Sequence, residues 1–261
     1  MATLDFPPES KPLVVAHRGA SATFAENTLE SFAAAIDSGA QAVELDVRLS
    51  ADGVAVVMHD PDVSRCTDGA GLVHELTVAE LKQLDASRGT GERAAVPTLR
   101  EVLDLCSGRI GVDLEIKNIP GEPAFDSPRE AAVEATLRDI DASAFSGPVL
   151  VSSFNWLSIE RCRELAPDVP TGFLTIAAMD PAAAMVYAQG AGHGWILPHV
   201  EALLPAGPEL VERVHGAGML VGTWVVDAPD TMARLFAMGV DAVATNDPAL
   251  GVEVRAAARS G

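Results

Sequence analysis

Eight short β-rich runs recur along the chain at 13–17, 42–47, 111–116, 148–152, 171–175, 194–197, 219–225 and 241–244, and a stretch with helical spacing of apolar residues follows each. Strands separated by helices must run parallel, because a hairpin is too short to hold a helix. Eight such units in 261 residues predict a TIM (β/α)8 barrel occupying 1–261 as a single domain. A doubly wound sheet is the competing arrangement, but no glycine-rich phosphate loop follows the first run. The first helix is predicted to open with Asn27 as N-cap and Glu30 three residues on. Leu29, Phe32, Ala33 and Ile36 would share its buried face, and Gly39 would end it. Val133, Leu137 and Ile140 repeat that pattern, and Asp247-Pro248 opens the last helix.

One apolar run, Val54 to Met58, falls outside the count, because only Ser50-Ala51-Asp52-Gly53 separates it from the second strand. Four turn-forming residues predict a hairpin. If Ser50 and Gly53 close a simple turn, His59 lies opposite Glu44; a bulge would shift the pairing by one. Residues 60–97 then form an insertion with a helix around Thr77–Leu84, ahead of a helix at about 98–106. So long a connection at one end of a barrel is expected to cover the mouth of a site, or else to pack against a second copy in a homo-oligomer.

Charged residues interrupt the apolar strand ends. Glu44 and Asp46 are two apart and point to one side of their strand, and Glu115 ends the next barrel strand. Like charges facing one way repel, and a hard divalent cation would remove the conflict. The alternative is that the three carboxylates pair with Arg18 and Lys117 in a buried salt-bridge network. His17 and His59 each follow a β-rich run and titrate near neutral pH, as general acid and base catalysis requires. Arg18 and Lys117 supply fixed positive charge suited to a phosphate. Gly19 lets the chain turn sharply after the first strand. Trp224 is placed to wall a pocket and contact an alcohol group. His74, His193, His199 and His215 lack such a context. The oxygen-rich set, with no His-x-His pair, argues against zinc.

These residues, in their order, resemble the glycerophosphodiester phosphodiesterases, whose relatives include the phosphatidylinositol-specific phospholipases C. The matching pieces are His17-Arg18-Gly19, Glu26-Asn27-Thr28, Glu44-Leu45-Asp46-Val47, Val57-Met58-His59-Asp60, Glu115-Ile116-Lys117, Thr223-Trp224 and Thr245-Asn246-Asp247-Pro248. The resemblance implies a TIM barrel with an insertion after the second histidine. It also implies one divalent cation, Mg²⁺ or Ca²⁺, on Glu44, Asp46 and Glu115, catalytic His17 and His59, and phosphate contacts from Arg18 and Lys117. The expected reaction releases glycerol 3-phosphate and an alcohol from a small glycerophosphodiester. Lysophospholipids in a lysophospholipase D-type reaction are the second substrate class, and a non-catalytic phosphate-binding barrel is the third reading.

The remaining composition restricts partners. With 18 basic against 37 acidic residues the net charge is −19, which repels nucleic acid and anionic membrane surfaces. A hydrophobic content of 48% with 5% aromatics is ordinary for an α/β enzyme, and no stable membrane insertion is expected. The first eight residues lack the basic region and long apolar stretch of a leader, so a cytoplasmic location is expected. Cys66, Cys106 and Cys162 are widely spaced and odd in number, and read as buried free thiols.

Overall fold

The computed structural model describes residues 6–89 and 91–260; Met1–Asp5, on which part of the leader argument rests, lie outside the described residues. In chain order the strands are β1 (Leu13–His17), β2 (Ala42–Leu49), β3 (Ala55–Val57), β4 (Gly111–Ile116), β5 (Val149–Ser153), β6 (Thr171–Thr175), β7 (Trp195–Pro198), β8 (Leu220–Thr223) and β9 (Ala242–Thr245). All but β3 are parallel, and β1 pairs with both β2 and β9, which closes the eight into a barrel. The helices are α1 (Leu29–Asp37), α2 (Val78–Leu81), α3 (Leu99–Cys106), α4 (Ala131–Ser143), α5 (Trp156–Leu165), α6 (Pro181–Ala191), α7 (Val200–Gly216), α8 (Pro229–Ala237) and α9 (Pro248–Ser260). This is the TIM barrel expected from the alternation, with β3 as an extra strand outside the ring.

Period-two alternation sorts the strand residues into two cores. Val43, Leu45, Val47, Val112, Leu114, Ile116, Val149 and Val151 point outward and meet helix residues such as Phe32, Leu103 and Val133. Burying a side chain such as Phe32, fully enclosed, contributes about 1.5–3 kcal/mol. Leu13, Val15, Ala42, Leu150, Leu174, Trp195, Leu197 and Ala242 point inward and form an apolar cluster inside the barrel. The same alternation that sends Val43, Leu45 and Val47 outward sends Glu44 and Asp46 inward.

Local chemistry explains the helix starts, and it corrects one of them. Thr28, not Asn27, caps α1: its Oγ1 accepts from Ser31 N at 3.2 Å. Asn27 sits in the left-handed region (φ 58°) and spends its side chain on Asp46. The fully enclosed residues of α1 are Ser31, Phe32 and Ala35, with Ala33 half-buried. Thr77 and Thr98 open α2 and α3 with reciprocal capping boxes to Glu80 and Glu101. Asp247 Oδ1 accepts from Leu250 N at the start of α9.

The hairpin is present, but its register differs by one from the simple-turn expectation. Val47 faces Val57 and Leu49 faces Ala55. Ser50 N donates to Val54 O at 3.0 Å and Ser50 Oγ accepts from Val54 N at 3.0 Å, so the turn takes one residue more. Met58 therefore stands beside Asp46, donating to its carbonyl at 2.9 Å, and His59 lies one position beyond. None of the insertion's described residues lines the central cavity. Val63, Cys66, Val73, Leu81, Ala86 and Val96 gather with Val56 and Met58 into a small core of their own, which holds the segment against β3.

Candidate active site

The turn after β1 begins the site. Arg18 (φ 56°) and Gly19 (φ 85°) are both left-handed, and Arg18 N lies 3.0 Å from both the carbonyl and Oε2 of Glu44. Parallel register sets Glu44 beside His17 and Asp46 beside Glu115. The result is a buried triad, Glu44, Asp46 and Glu115, each offering an oxygen within 4.8 Å of the others. Lys117, just past β4, places Nζ 3.0 Å from Asp46 Oδ1 and also bonds Glu115. Arg18 Nε lies 3.2 Å from Asp46 Oδ2, and Asn27 Nδ2 donates to that oxygen at 2.7 Å.

The three carboxylates are held unequally. Burial pushes Glu44 well above the usual carboxylate range, and Asp46 and Glu115 push it the same way. Burial acts in that direction on Asp46 too, but Lys117 and Arg18 outweigh it and hold Asp46 low. Lys117 is raised: burial opposes its charge, and Glu115 and Asp46 more than compensate. The salt-bridge network and the cation cluster anticipated as alternatives are thus built from the same atoms. The network leaves Glu44 Oε1 buried without a hydrogen-bond partner. A fully enclosed acceptor facing two further carboxylates is costly unless a cation meets it, so the triad fits one hard divalent ion. All its donors are oxygens, which suits Mg²⁺ or Ca²⁺.

Both histidines present one ring nitrogen to a fixed partner. His17 Nδ1 is 2.8 Å from Asn246 Oδ1, and Asn246 Nδ2 donates to Asp227 Oδ2 at 2.7 Å, which fixes the amide. His17 therefore carries its proton on Nδ1 and leaves Nε2 toward Glu44, 4.0 Å from Oε2. His59 Nδ1 is 2.6 Å from Asp60 Oδ1, which likewise leaves Nε2 free. Burial lowers both rings, His17 to about 4 with help from Arg18. An ionic chain runs from Asp60 through Arg65 to Glu26 and on to Arg18, with Arg65 Nη2 2.8 Å and Arg18 Nη1 2.9 Å from Glu26 Oε1.

His17, Arg18, Glu44, His59, Glu115, Lys117 and Trp224 all line one cavity of about 260 Å³, and Asp46 is sealed behind Arg18 and Lys117. Trp224 does wall it, edge-on to Phe154 at 5.2 Å. Its indole N–H is committed, however: Nε1 donates to Leu197 O at 2.9 Å, so the contact it offers a ligand is its ring face. His199 packs edge-on against Trp224, and the other histidines without a role in the sequence reading stay outside the cavity. Sequence reasoning gave no role to Asn246, Asp60, Glu26 or Arg65. The signals were the Thr245-Asn246-Asp247-Pro248 and Glu26-Asn27-Thr28 pieces and the carboxylate adjoining His59. The three cysteines are free and buried, as expected, and burial pushes each thiol up to about 12.

An acidic, all-oxygen cluster with two imidazoles and two cations at the C-terminal mouth of a closed barrel defines a hydrolase-type site for an anionic ester. Residues 17–250 match the model of the glycerophosphoryl diester phosphodiesterase family, and the chain belongs to that family of phosphoric diester hydrolases. It is 36% identical over 252 residues to a glycerophosphodiester phosphodiesterase of Caldanaerobacter subterraneus, covering 91% of this chain and 95% of that one. The structure resembles that of an Oleispira antarctica phosphodiesterase solved with its product sn-glycerol-3-phosphate (TM-score 0.84, 30% identity, 94% and 97% of the two chains). It also resembles a glycerophosphodiester phosphodiesterase of Thermotoga maritima (TM-score 0.76, 27% identity, 93% and 98%). Among the described residues no helix is long and apolar enough to cross a membrane.

Proposed function

We propose that this chain hydrolyses glycerophosphodiesters to glycerol 3-phosphate and an alcohol with the help of one divalent cation and two histidines. The observation that carries the reading is the unpartnered Glu44 Oε1 inside a buried carboxylate triad, flanked by two imidazoles with free Nε2 atoms. Glu44, Asp46 and Glu115 would hold the cation, Mg²⁺ or Ca²⁺, which when bound neutralises charge on the phosphate. Arg18 and Lys117 add fixed positive charge beside it and orient the diester for in-line attack. One histidine takes the proton of the attacking hydroxyl on its Nε2; the other, protonated at Nε2 from solvent before the step, gives that proton to the departing alkoxide as the bond from phosphorus to that oxygen breaks, and the first returns its proton to solvent. The attacking hydroxyl belongs either to water or to the substrate's own glycerol, the latter leaving a cyclic phosphate for water to open. The product named for the Oleispira relative supports this substrate class, and free buried thiols agree with a cytoplasmic placement.

A specific observation favours lysophospholipids as a second substrate class. Phe125, Trp156, Leu157 and Ile176 are exposed on the segments that follow β4, β5 and β6, on one arc of the rim. Incubating chelated protein with glycerophosphocholine and with its lysolipid counterpart, then restoring Mg²⁺ or Ca²⁺, separates the classes. Glycerol 3-phosphate release that depends on added cation supports the main reading; no phosphodiester turnover with either cation overturns it and leaves a phosphate-binding barrel. H17A and H59A are each expected to lose about 10²–10⁴-fold in rate.

A further inference from the structure

Arg48 stands apart from the central cavity, yet it touches the main chain of two residues that line it. Its side chain is 5% exposed. Nε donates to His59 O at 2.8 Å and Nη1 to Lys117 O at 3.3 Å. Nη1 and Nη2 grip Glu122 at 2.6 and 3.2 Å, so the buried charge is met by a carboxylate from the segment between β4 and α4. We propose that Arg48 is a positioning residue, which fixes the strand end carrying His59 against the strand end carrying Lys117. The proposal rests on the roles given above to those two residues.

The topology explains why such a clamp is needed there. β2 pairs with β3 on one side and β4 on the other, so a side chain near its end is flanked by both. The ladder to β3 ends at Val57 and that to β4 at Ile116, just before His59 and Lys117 leave the sheet. β3 is three residues long and lies outside the closed ring, so regular pairing gives His59 little purchase. Asp60 fixes the His59 ring but is its neighbour in the chain and moves with it. The second tie, through Arg65 to Glu26, is about half exposed and therefore weaker. Arg48 alone, among the described residues, joins both carbonyls with one buried group. A guanidinium can do this because its five donors are fixed in a plane, whereas an ammonium concentrates three donors at one point.

The test compares R48M, R48K and E122Q with wild type on whichever phosphodiester the wild type cleaves. A reacting group displaced by about 1 Å costs on the order of 10²-fold. R48M is therefore expected to lose about 10–100-fold in kcat with KM changed less than about threefold, and R48K to recover part of the loss. Hydrogen exchange of amides 58–60 and 117–122 is expected to quicken in R48M while β5 to β8 stay protected. A folded R48M with wild-type kcat and wild-type exchange in both segments overturns the proposal, as does R48K equal to R48M in both readouts. If R48M does not fold, R48K and E122Q decide: loss of kcat with faster exchange in the two segments supports the clamp, and wild-type behaviour of both variants refutes it. If the wild type cleaves no phosphodiester, the proposed function fails, and the exchange data still judge Arg48.

Discussion

Lys117 is a nearly enclosed cation that bonds two carboxylates of the site, and its replacement by methionine isolates what it does. The side chain is 6% exposed, Asp46 is fully enclosed and Glu115 nearly so. Methionine keeps much of the packing of the lysine stem, so K117M removes chiefly the ammonium. Taking one partner from a buried ion pair costs about 3–5 kcal/mol, because the remaining charge is left uncompensated. Arg18 still serves Asp46, which argues for about 3 kcal/mol, or roughly 6–12 °C in Tm for a chain of this size. The assay is calorimetry at pH 7.5 with a chelator present. Lys117 helps hold Asp46 below its unfolded range, so the stability Asp46 contributes is present above the unfolded pKa and is lost as pH falls through the depressed folded one. The gap between variant and wild type should consequently shrink on acidification, once the carboxylates left by the substitution take up protons. Saturating Mg²⁺ or Ca²⁺ should narrow it as well, since the ion would replace the missing charge. A chelated K117M within 2 °C of wild type at pH 7.5 would refute the electrostatic reading of the site.

Three further outcomes are expected. Gly19→Ala places a Cβ 2.7 Å from the Ser31 carbonyl carbon and closer still to its hydroxyl, at φ 85°, so a loss of about 2–4 kcal/mol is expected by denaturant titration. His17 has a folded pKa of about 4 against 6.5 unfolded, so the unfolded chain binds the extra proton and stability falls from pH 6.5 toward pH 4. That fall amounts to about 3 kcal/mol, and His17→Gln should remove it from the pH–stability curve. Asn246→Ala frees the His17 ring from its fixed acceptor, and about a tenfold or greater drop in kcat with a small change in KM is expected from steady-state kinetics.

The barrel was legible because its cause is local and repeated. Apolar alternation at the strands, helical spacing between them and glycine, proline and hydroxyl residues at the joints all agree, and eight repetitions leave few other folds. The same alternation told which side Glu44 and Asp46 would face, since side-chain direction in a strand depends only on parity. Motif order along the chain carried His17, His59, Glu115 and Lys117 to the site. Details decided by competition between neighbours were less legible. Asn27 has the chemistry of an N-cap, but Asp46 claims its amide and Thr28 takes the cap. The hairpin register depended on Ser50 pairing with Val54 as well as with Gly53, a difference of one residue that composition does not encode.

By itself the amino-acid order determined the architecture, the inward direction of the acidic pair and the set of groups able to handle a phosphodiester, because each follows from periodicity or side-chain chemistry. Only the tertiary structure decided which partner each group has. Asn246 meets His17 from 229 residues away and Arg48 reaches the carbonyl of Lys117 from 69 residues away. The orphaned oxygen of Glu44 emerges only once the hydrogen bonds of the assembled site are traced. The first of those pairings depends on the closure of the ring, which brings the first and last strands side by side, and the others on the register between neighbouring strands; no local pattern in the chain records those distances.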